Sequence, residues 1–470
     1  MEDLRTQRRD RLMVAALLAA GLALRVFFIA HGVSQDDDSD VYQELARNWF
    51  HHGVYGFSGD TGIDPTLIRL PGYPLFLGIV FSIFGDGHMR TVELLQALLD
   101  LCECWLIFDT ARREVSQHAG WVALTLAMLC PFTAGYAASG MTESLSIGCV
   151  ALAIWSTARL LRAVRANQST VLPMAGLVVA LACAILLRPD GVLLPAAFCT
   201  GLFWYAKGQA GAARALRLAV LAGVLAVLPL VPWTIRNYRV FHVVQPLAPR
   251  NANNPVEFVP NGFHRWMRTW SIEFVNTGTV AWNMGTDPIG LDVIPARACD
   301  PGPECTEMAA VIAAYNVHNA ITPELDARFG ALADEHIRRH PLEYYVEMPV
   351  LRVLDMWLRP RTELFDIDVF WWRIHEHPLG SGIAIGLAAV NLGYLVLSVI
   401  GFTTHRVPLA IPLLLYVLLR CILLGTLESP EQRYTMEAFP ILFLGGGCAL
   451  AGSGEGRRRR AILRSNTEPG

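Results

Sequence analysis

A chain of 470 residues that is 53% hydrophobic and only 17% charged, with a mean hydropathy of +0.38, excludes an ordinary soluble domain. Apolar runs of about 20 residues, the length that crosses a ~30 Å hydrocarbon core, recur along it and predict an all-α polytopic membrane protein. A net charge of −3 offers no basic face to nucleic acid, and Lys207 is the one lysine, so arginine carries the positive charge.

The first apolar run, 12–31, lacks a small-residue cleavage site and is followed by further runs, so it reads as a span rather than a signal peptide. Arg5, Arg8, Arg9 and Arg11 precede it, which places the N-terminus in the cytoplasm by the positive-inside rule. The chain then emerges into SQDDDSDVY, with Asp36, Asp37, Asp38 and Asp40 clustered at the membrane boundary. Over 40–57, Val41, Leu45, Trp49 and Phe50 fall at helical spacing between polar residues, the pattern of an amphipathic helix on the membrane surface. PGYPLFLGIVFSIF, 71–84, is apolar but short for a crossing. Were it to cross, every later basic loop would flip outward, so it reads as a helix at the outer interface.

Further spans are expected near 91–109, 119–138, 143–161, 171–187, 191–206 and 217–235, then near 380–402, 407–426 and 435–452. Arg112 and Arg113, then Arg159, Arg162 and Arg165, then Lys207, Arg214 and Arg217 mark inner loops, as do Arg406 and the tail RRRR at 457–460. With the first run this makes about ten crossings and leaves both termini cytoplasmic. The organisation is an N-terminal membrane module, 1–239, with an acidic first outer loop at 32–90. A loop domain outside the cytoplasm, 240–378, follows, and then C-terminal spans with a basic tail, 379–470.

The long loop begins irregular, Asn- and Pro-rich and aromatic; its second half turns helical, with Thr322 as an N-cap before Pro323 and a break at Pro341. Val350, Leu354 and Trp357 end that half on an apolar stripe suited to the membrane surface. Trp266, Trp270 and Trp282 either pack inside the loop or stack on a sugar. Eight of the ten cysteines lie in apolar spans. Cys299 and Cys305, six residues apart in ACDPGPECTE, either close a small disulfide in an oxidising compartment or stay free thiols.

Acids and arginines recur at the outer helix ends: Asp38 and Asp40, Arg69 in IRLPGYP, Glu143 in SGMTESLS, Arg188 in LLRPDG, Arg236 and Arg239 in PWTIRNYRV, Glu431 and Arg433 in ESPEQRY. Arginine at a helix end often snorkels to headgroups, and Pro-Gly pieces are ordinary turns. The recurrence of both charge types on one side is what those readings leave over, since ionisable groups at membrane depth are costly. A carboxylate can take the proton of an acceptor hydroxyl. Guanidinium groups can hold a phosphate and stabilise charge building on it.

DSDVYQELARNWFHHGVYGF with RLPGYPLFLG, then GMTESLS, LLRPDG, VPWTIRNYRVF and ESPEQRYTMEAFP, resemble in order the motifs of bacterial GT-C glycosyltransferases, relatives of protein O-mannosyltransferases and of the lipid A aminoarabinose transferase. The resemblance covers about 12–245 and 380–452. It implies a GT-C-type helical bundle, and transfer of a sugar from a polyprenyl-phosphate donor to a hydroxyl acceptor on the non-cytoplasmic side of the plasma or inner membrane. It implies a catalytic Asp a few residues before a Tyr. Asp38, four before Tyr42, fits that place as general base, with Asp40 and Asp37 as alternatives. The second acidic site of the family maps to Glu143. Arg69, Arg188 and Arg433, with Tyr73 and Tyr434 beside them, are the candidate donor-binding set. Some members of the family use a metal and others do not; Asp38, Asp40 and Glu143 are the candidate oxygen ligands for Mg²⁺ or Mn²⁺. The acceptor stays open between protein, glycolipid and polysaccharide.

Two rival readings are a lipid-linked sugar flippase or other transporter and a polysaccharide polymerase. A transporter favours charges at the bilayer midplane and paired repeats; no internal repeat is present, and the acidic first loop favours the transferase.

Overall fold

The computed structural model describes residues 2–33, 37–365 and 367–451, without the side chains of residues 2–11 and Asp37; Asp36 and the basic tail 457–460 lie outside the described residues. The fold is mostly helical. In chain order the helices begin α1 (Glu2–His31), α2 (Asp37–His52), α3 (Gly72–Phe84), α4 (Met89–Glu114), α5 (Gln117–Met128) and α6 (Pro131–Ala137). They continue as α7 (Glu143–Arg165), α8 (Val171–Leu187), α9 (Leu193–Ala210), α10 (Ala212–Val227), α11 (Leu230–Phe241) and α12 (Asn261–Trp270). The remainder are α13 (Phe274–Asn276), α14 (Pro303–Asn316), α15 (Pro323–Arg339), α16 (Met348–Leu358), α17 (Pro378–Thr404) and α18 (Ala410–Leu424), before a last helical segment, Gln432–Ala451. A hairpin of β1 (Gly56–Gly59) and β2 (Gly62–Pro65), with Gly56 opposite Pro65, is the strand structure among the described residues.

Five of the expected crossings are helical segments long and apolar enough to span: Leu12–His31, Glu143–Arg165, Ala212–Phe241, Pro378–Thr404 and Gln432–Ala451. The pair α5 and α6, bent by 54° at its break, makes a sixth if it is one span. Gly72–Phe84, Val171–Leu187 and Ala410–Leu424 are apolar but shorter. Helix α4 is long but carries Glu93, Asp100, Glu103 and Asp109. Part of that charge is met within the bundle: buried Arg25 of α1 pairs with Asp100 and donates to the carbonyls of Gly21 and Met128, each at 2.8 Å. A guanidinium inside a bundle is tolerable only with such partners.

The chain divides into two compact units, one of residues 1–255, 392–417 and 436–470, the other of 256–391 and 418–435. In the first, α2 forms as its periodicity predicts. Leu45 is fully buried and packs with Tyr55, Leu67, Leu70 and Trp233. The hairpin is pinned to this helix, because Asn48 Nδ2 donates to the Gly56 carbonyl at 2.9 Å and Ser58 N donates to Glu44 at 2.7 Å. Arg236 faces inward. It donates to the carbonyls of Thr66 at 2.6 Å and Tyr55 at 2.7 Å, and lies over the rings of Tyr55, Trp233 and Phe241.

The second unit has its own core of Phe263, Trp266, Met267, Trp270, Val311, Tyr315 and Phe329. Trp266 and Trp270 are thus core, whereas Trp282 is exposed. Helix α12 receives opposite charges at its two ends. Asp326 accepts from Phe263 N at 2.8 Å and Gly262 N at 3.1 Å at its start. Arg352 donates to the carbonyls of Ser271, at 2.6 Å, and Arg268 at its finish. Both placements satisfy terminal backbone groups and complement the helix dipole. Thr322 caps α15, accepting from Leu325 N at 3.2 Å, and that helix ends at Arg339, ahead of Pro341. Cys299 and Cys305 are bonded, their Cα atoms 5.2 Å apart. On α16, Val350, Leu354 and Leu358 stay exposed along one stripe, while Met348, Arg352 and Met356 turn inward.

Candidate active site

Two close backbone approaches assemble the sequence motifs of the first unit. Gly72, in RLPGYP, lies so near α8 that a Cβ there would stand 2.6 Å from the Leu186 carbonyl oxygen. Gly140, in SGMTES, lies so near α2 that its Cβ would meet Ser39 Oγ at 2.1 Å. Hydrogen bonds hold the same pieces. Tyr55 donates to the carbonyls of Arg69 at 3.1 Å and Leu70 at 3.2 Å. Tyr73 donates to Gln96 at 2.8 Å, and Gln96 in turn donates to Ser139 O at 2.7 Å. Tyr73 is fully buried, so its hydroxyl serves this scaffold.

On that scaffold sit two ion-pair clusters. Arg69 Nη2 donates to Asp38 Oδ1 at 2.7 Å, with both side chains about a quarter exposed. Arg188 Nη1 donates to Glu143 Oε1 at 2.9 Å, and its Nε stands 3.2 Å from Asp190 Oδ1 and 3.3 Å from Glu437 Oε1. Thr142 Oγ1 also receives Arg188 Nη1, at 3.3 Å. Burial alone would lower the Arg188 guanidinium, but Asp190, Glu437 and Glu143 raise it well above its ordinary value. Tyr42 joins the two clusters: its phenol feels Asp38, Arg69, Arg188 and Glu143 together. Burial first, and then the two carboxylates against the two arginines, leave it pushed up to about 12.

Asp40 stands apart from this arrangement. It is exposed and accepts from Gln43 of its own helix at 3.3 Å. Asp38, Asp40 and Glu143 are therefore not brought together as an oxygen-ligand set. Among the described residues no three His, Cys, Asp or Glu side chains group so as to hold a metal ion. The reason is local: Asp38 turns to Arg69, Glu143 to Arg188, and Asp40 to Gln43 of its own helix.

Arg433 and Tyr434 belong to the second unit. There Arg433 Nε pairs with Glu431 at 2.6 Å, and the Tyr434 hydroxyl donates to the same carboxylate at 2.5 Å. Buried Arg361 fixes this stretch by donating to Gln432 O at 2.9 Å and Thr435 Oγ1 at 2.6 Å. Sequence reasoning missed Arg361, Glu437 and Tyr42 as members of these clusters. Glu437 was in view within ESPEQRYTMEAFP, and an acid inside an apolar final span was a usable signal. Tyr42 was visible only as a marker for Asp38.

Residues 66–235 match the family described as dolichyl-phosphate-mannose-protein mannosyltransferase. The matched stretch contains Arg69, Glu143, Arg188 and Asp190, and begins after Asp38 and Tyr42. Two crystal structures of ArnT from Cupriavidus metallidurans are similar at low identity. The one bound to undecaprenyl phosphate is 17% identical with a TM-score of 0.39, over 93% of this chain and 77% of that one. The one in the apo state is 16% identical with a TM-score of 0.40, over 95% and 78%. Comparison with curated protein sequences gives no match.

Proposed function

We propose that the protein transfers a sugar from a polyprenyl-phosphate donor to a hydroxyl acceptor on the non-cytoplasmic side of the membrane. The observation that carries this reading is the Asp38–Arg69 pair lying with Tyr42 beside the Glu143–Arg188–Asp190–Glu437 cluster. A carboxylate beside guanidinium groups is what a general base next to a phosphate site requires, and this supports the reading. The matched family uses a dolichyl-phosphate sugar and one ArnT structure holds undecaprenyl phosphate, which favours a lipid phosphate as donor here.

The mechanism is a single displacement. The acceptor hydroxyl approaches the anomeric carbon opposite the phosphate, and Asp38, released from Arg69 as substrate enters, takes its proton. The bond from the anomeric carbon to the phosphate oxygen breaks through an oxocarbenium-like state, with the electron pair leaving on the phosphate. Arg69 and Arg188 stabilise the charge that builds there. One displacement inverts the anomeric centre. Glu143 orients Arg188 and the acceptor.

Purified chain incubated with radiolabelled undecaprenyl-phosphate sugars, with and without membrane extracts as acceptor source, tests this reading. Transfer or hydrolysis of the sugar supports it. Movement of intact lipid-linked sugar across vesicles without bond cleavage means a transporter instead.

A further inference from the structure

We infer that Tyr42 donates a hydrogen bond from its hydroxyl to the phosphate oxygen on which the leaving electron pair arrives. The inference rests on the function proposed above and adds a direct substrate contact to it.

Tyr42 stands one helical turn after Asp38 on α2, so both side chains project from one face. Its ring packs edge-on against Tyr73, with centroids 5.1 Å apart, and Tyr73 is fixed through Gln96. The ring is therefore held while the hydroxyl is left free: no hydrogen bond from it forms with any described residue. Its neighbours are committed elsewhere, Asp38 to Arg69 at 2.7 Å and Glu143 to Arg188 at 2.9 Å. Tyr42 is half-buried and its hydroxyl is not sealed from solvent, so a ligand entering there can reach it. The ligand that fits is one that accepts a hydrogen bond and suits the two guanidinium groups beside the phenol. A phosphate oxygen does both. The raised phenol stays protonated across physiological pH, so the donor is always present.

In the reaction, the acceptor's proton goes to Asp38, the new bond forms at the anomeric carbon, and the old bond's electrons pass to the phosphate oxygen. Tyr42 keeps its own proton throughout and strengthens its hydrogen bond as that oxygen becomes more negative.

The test uses full-length protein in lipid nanodiscs and undecaprenyl phosphate, which requires neither the sugar nor the acceptor to be known. Tyr42→Phe keeps the ring and its packing and removes only the hydroxyl. Binding should weaken on the order of 10- to 100-fold, the scale of one lost hydrogen bond to a charged group. Replacing Tyr42 by a ring-fluorinated tyrosine, whose phenol is more acidic, should give binding that falls at alkaline pH where the native protein still binds. A purely structural role would not move that pH profile. Unchanged affinity in Tyr42→Phe, or a fluorinated protein with the native pH profile, overturns the inference while leaving the transferase reading intact. Failure of the native protein to bind undecaprenyl phosphate, or full turnover by Asp38→Asn, overturns the reading on which it rests.

Discussion

Glu437 lies 3.3 Å from Nε of Arg188, so the last helix returns a carboxylate to the turn that follows α8. Glu143 takes Nη1 of the same guanidinium from the start of α7, and Asp190 shares Nε. The arrangement uses the planar fork of arginine, which lysine does not supply. Arg188→Lys should therefore lower turnover about 100-fold, near the cost of losing an oriented donor to a developing anion. Glu437→Gln keeps the shape and loses the charge, and should cost about 10-fold in kcat with the thermal midpoint little changed. Steady-state transfer kinetics and thermal unfolding of the two variants check this. Equal loss of kcat and of folded protein would mark the cluster as purely structural.

Asp38 and Asp40 sit two residues apart and differ in surroundings. Asp38 meets Arg69 beside Tyr42, while Asp40 is exposed and bound to Gln43. Asp38→Asn should reduce kcat by at least about 100-fold, as general bases typically contribute that much. Donor affinity should stay within a few-fold. Asp40→Asn should stay within about 2-fold in both, since exposed polar substitutions act weakly. Reversal of this order would move the base to Asp40.

The helical class, the amphipathic α2 and the N-cap at Thr322 were legible because each rests on local periodicity or local chemistry. Asp38, Arg69, Glu143 and Arg188, singled out as charges at the ends of apolar runs, form ion pairs with one another. The number of crossings was less so. Helix α4 mixes five acids with its apolar residues, and α5 and α6 bend at Pro131, so length and hydropathy do not identify either as a simple span. Arg236 was noted only as a charge at a helix end, and it is a clamp on the Tyr55–Thr66 loop, a role set by residues about 170 positions away. The hairpin escaped notice because its strands have four residues each and take their support from α2.

The approach of Gly72 to α8 makes a backbone position responsible for the site. A methyl group there would meet the Leu186 carbonyl and the Leu187 amide, both backbone and unable to step aside as a side chain could. Gly72→Ala should push RLPGYP away from LLRPDG, separating Arg69 from Arg188 without removing any ionisable group. Turnover should fall by about 10-fold or more, since small misplacements far from the chemistry can cost up to about 100-fold. Measured kcat in Gly72→Ala at native expression level checks this; native kcat would mean that the contact has slack.

In the second unit, Asp300, in the loop closed by Cys299 and Cys305, forms an ion pair at 2.9 Å with His340 at the end of α15. Arg339 also binds Asp300, at 2.7 Å, and His336, Glu304 and Glu343 face the pair. The hydrogen bond to Asp300 raises the His340 imidazole above its ordinary value, and the same bond lowers Asp300. A raised histidine contributes stability that is complete below its unfolded pKa, about 6.5, and is lost as pH rises through the folded value. A lowered aspartate contributes stability that is complete above about 3.9 and is lost as pH falls through its folded value. The pair is therefore at full strength between about pH 4 and 6.5. Both groups are more than a third exposed, so the effect is screened and modest. His340→Gln should lower the thermal midpoint most within that window, and the difference from native protein should shrink toward pH 9. Thermal unfolding of both proteins across pH 4–9 checks the sign, and a difference constant over that range would show that His340 acts by packing alone.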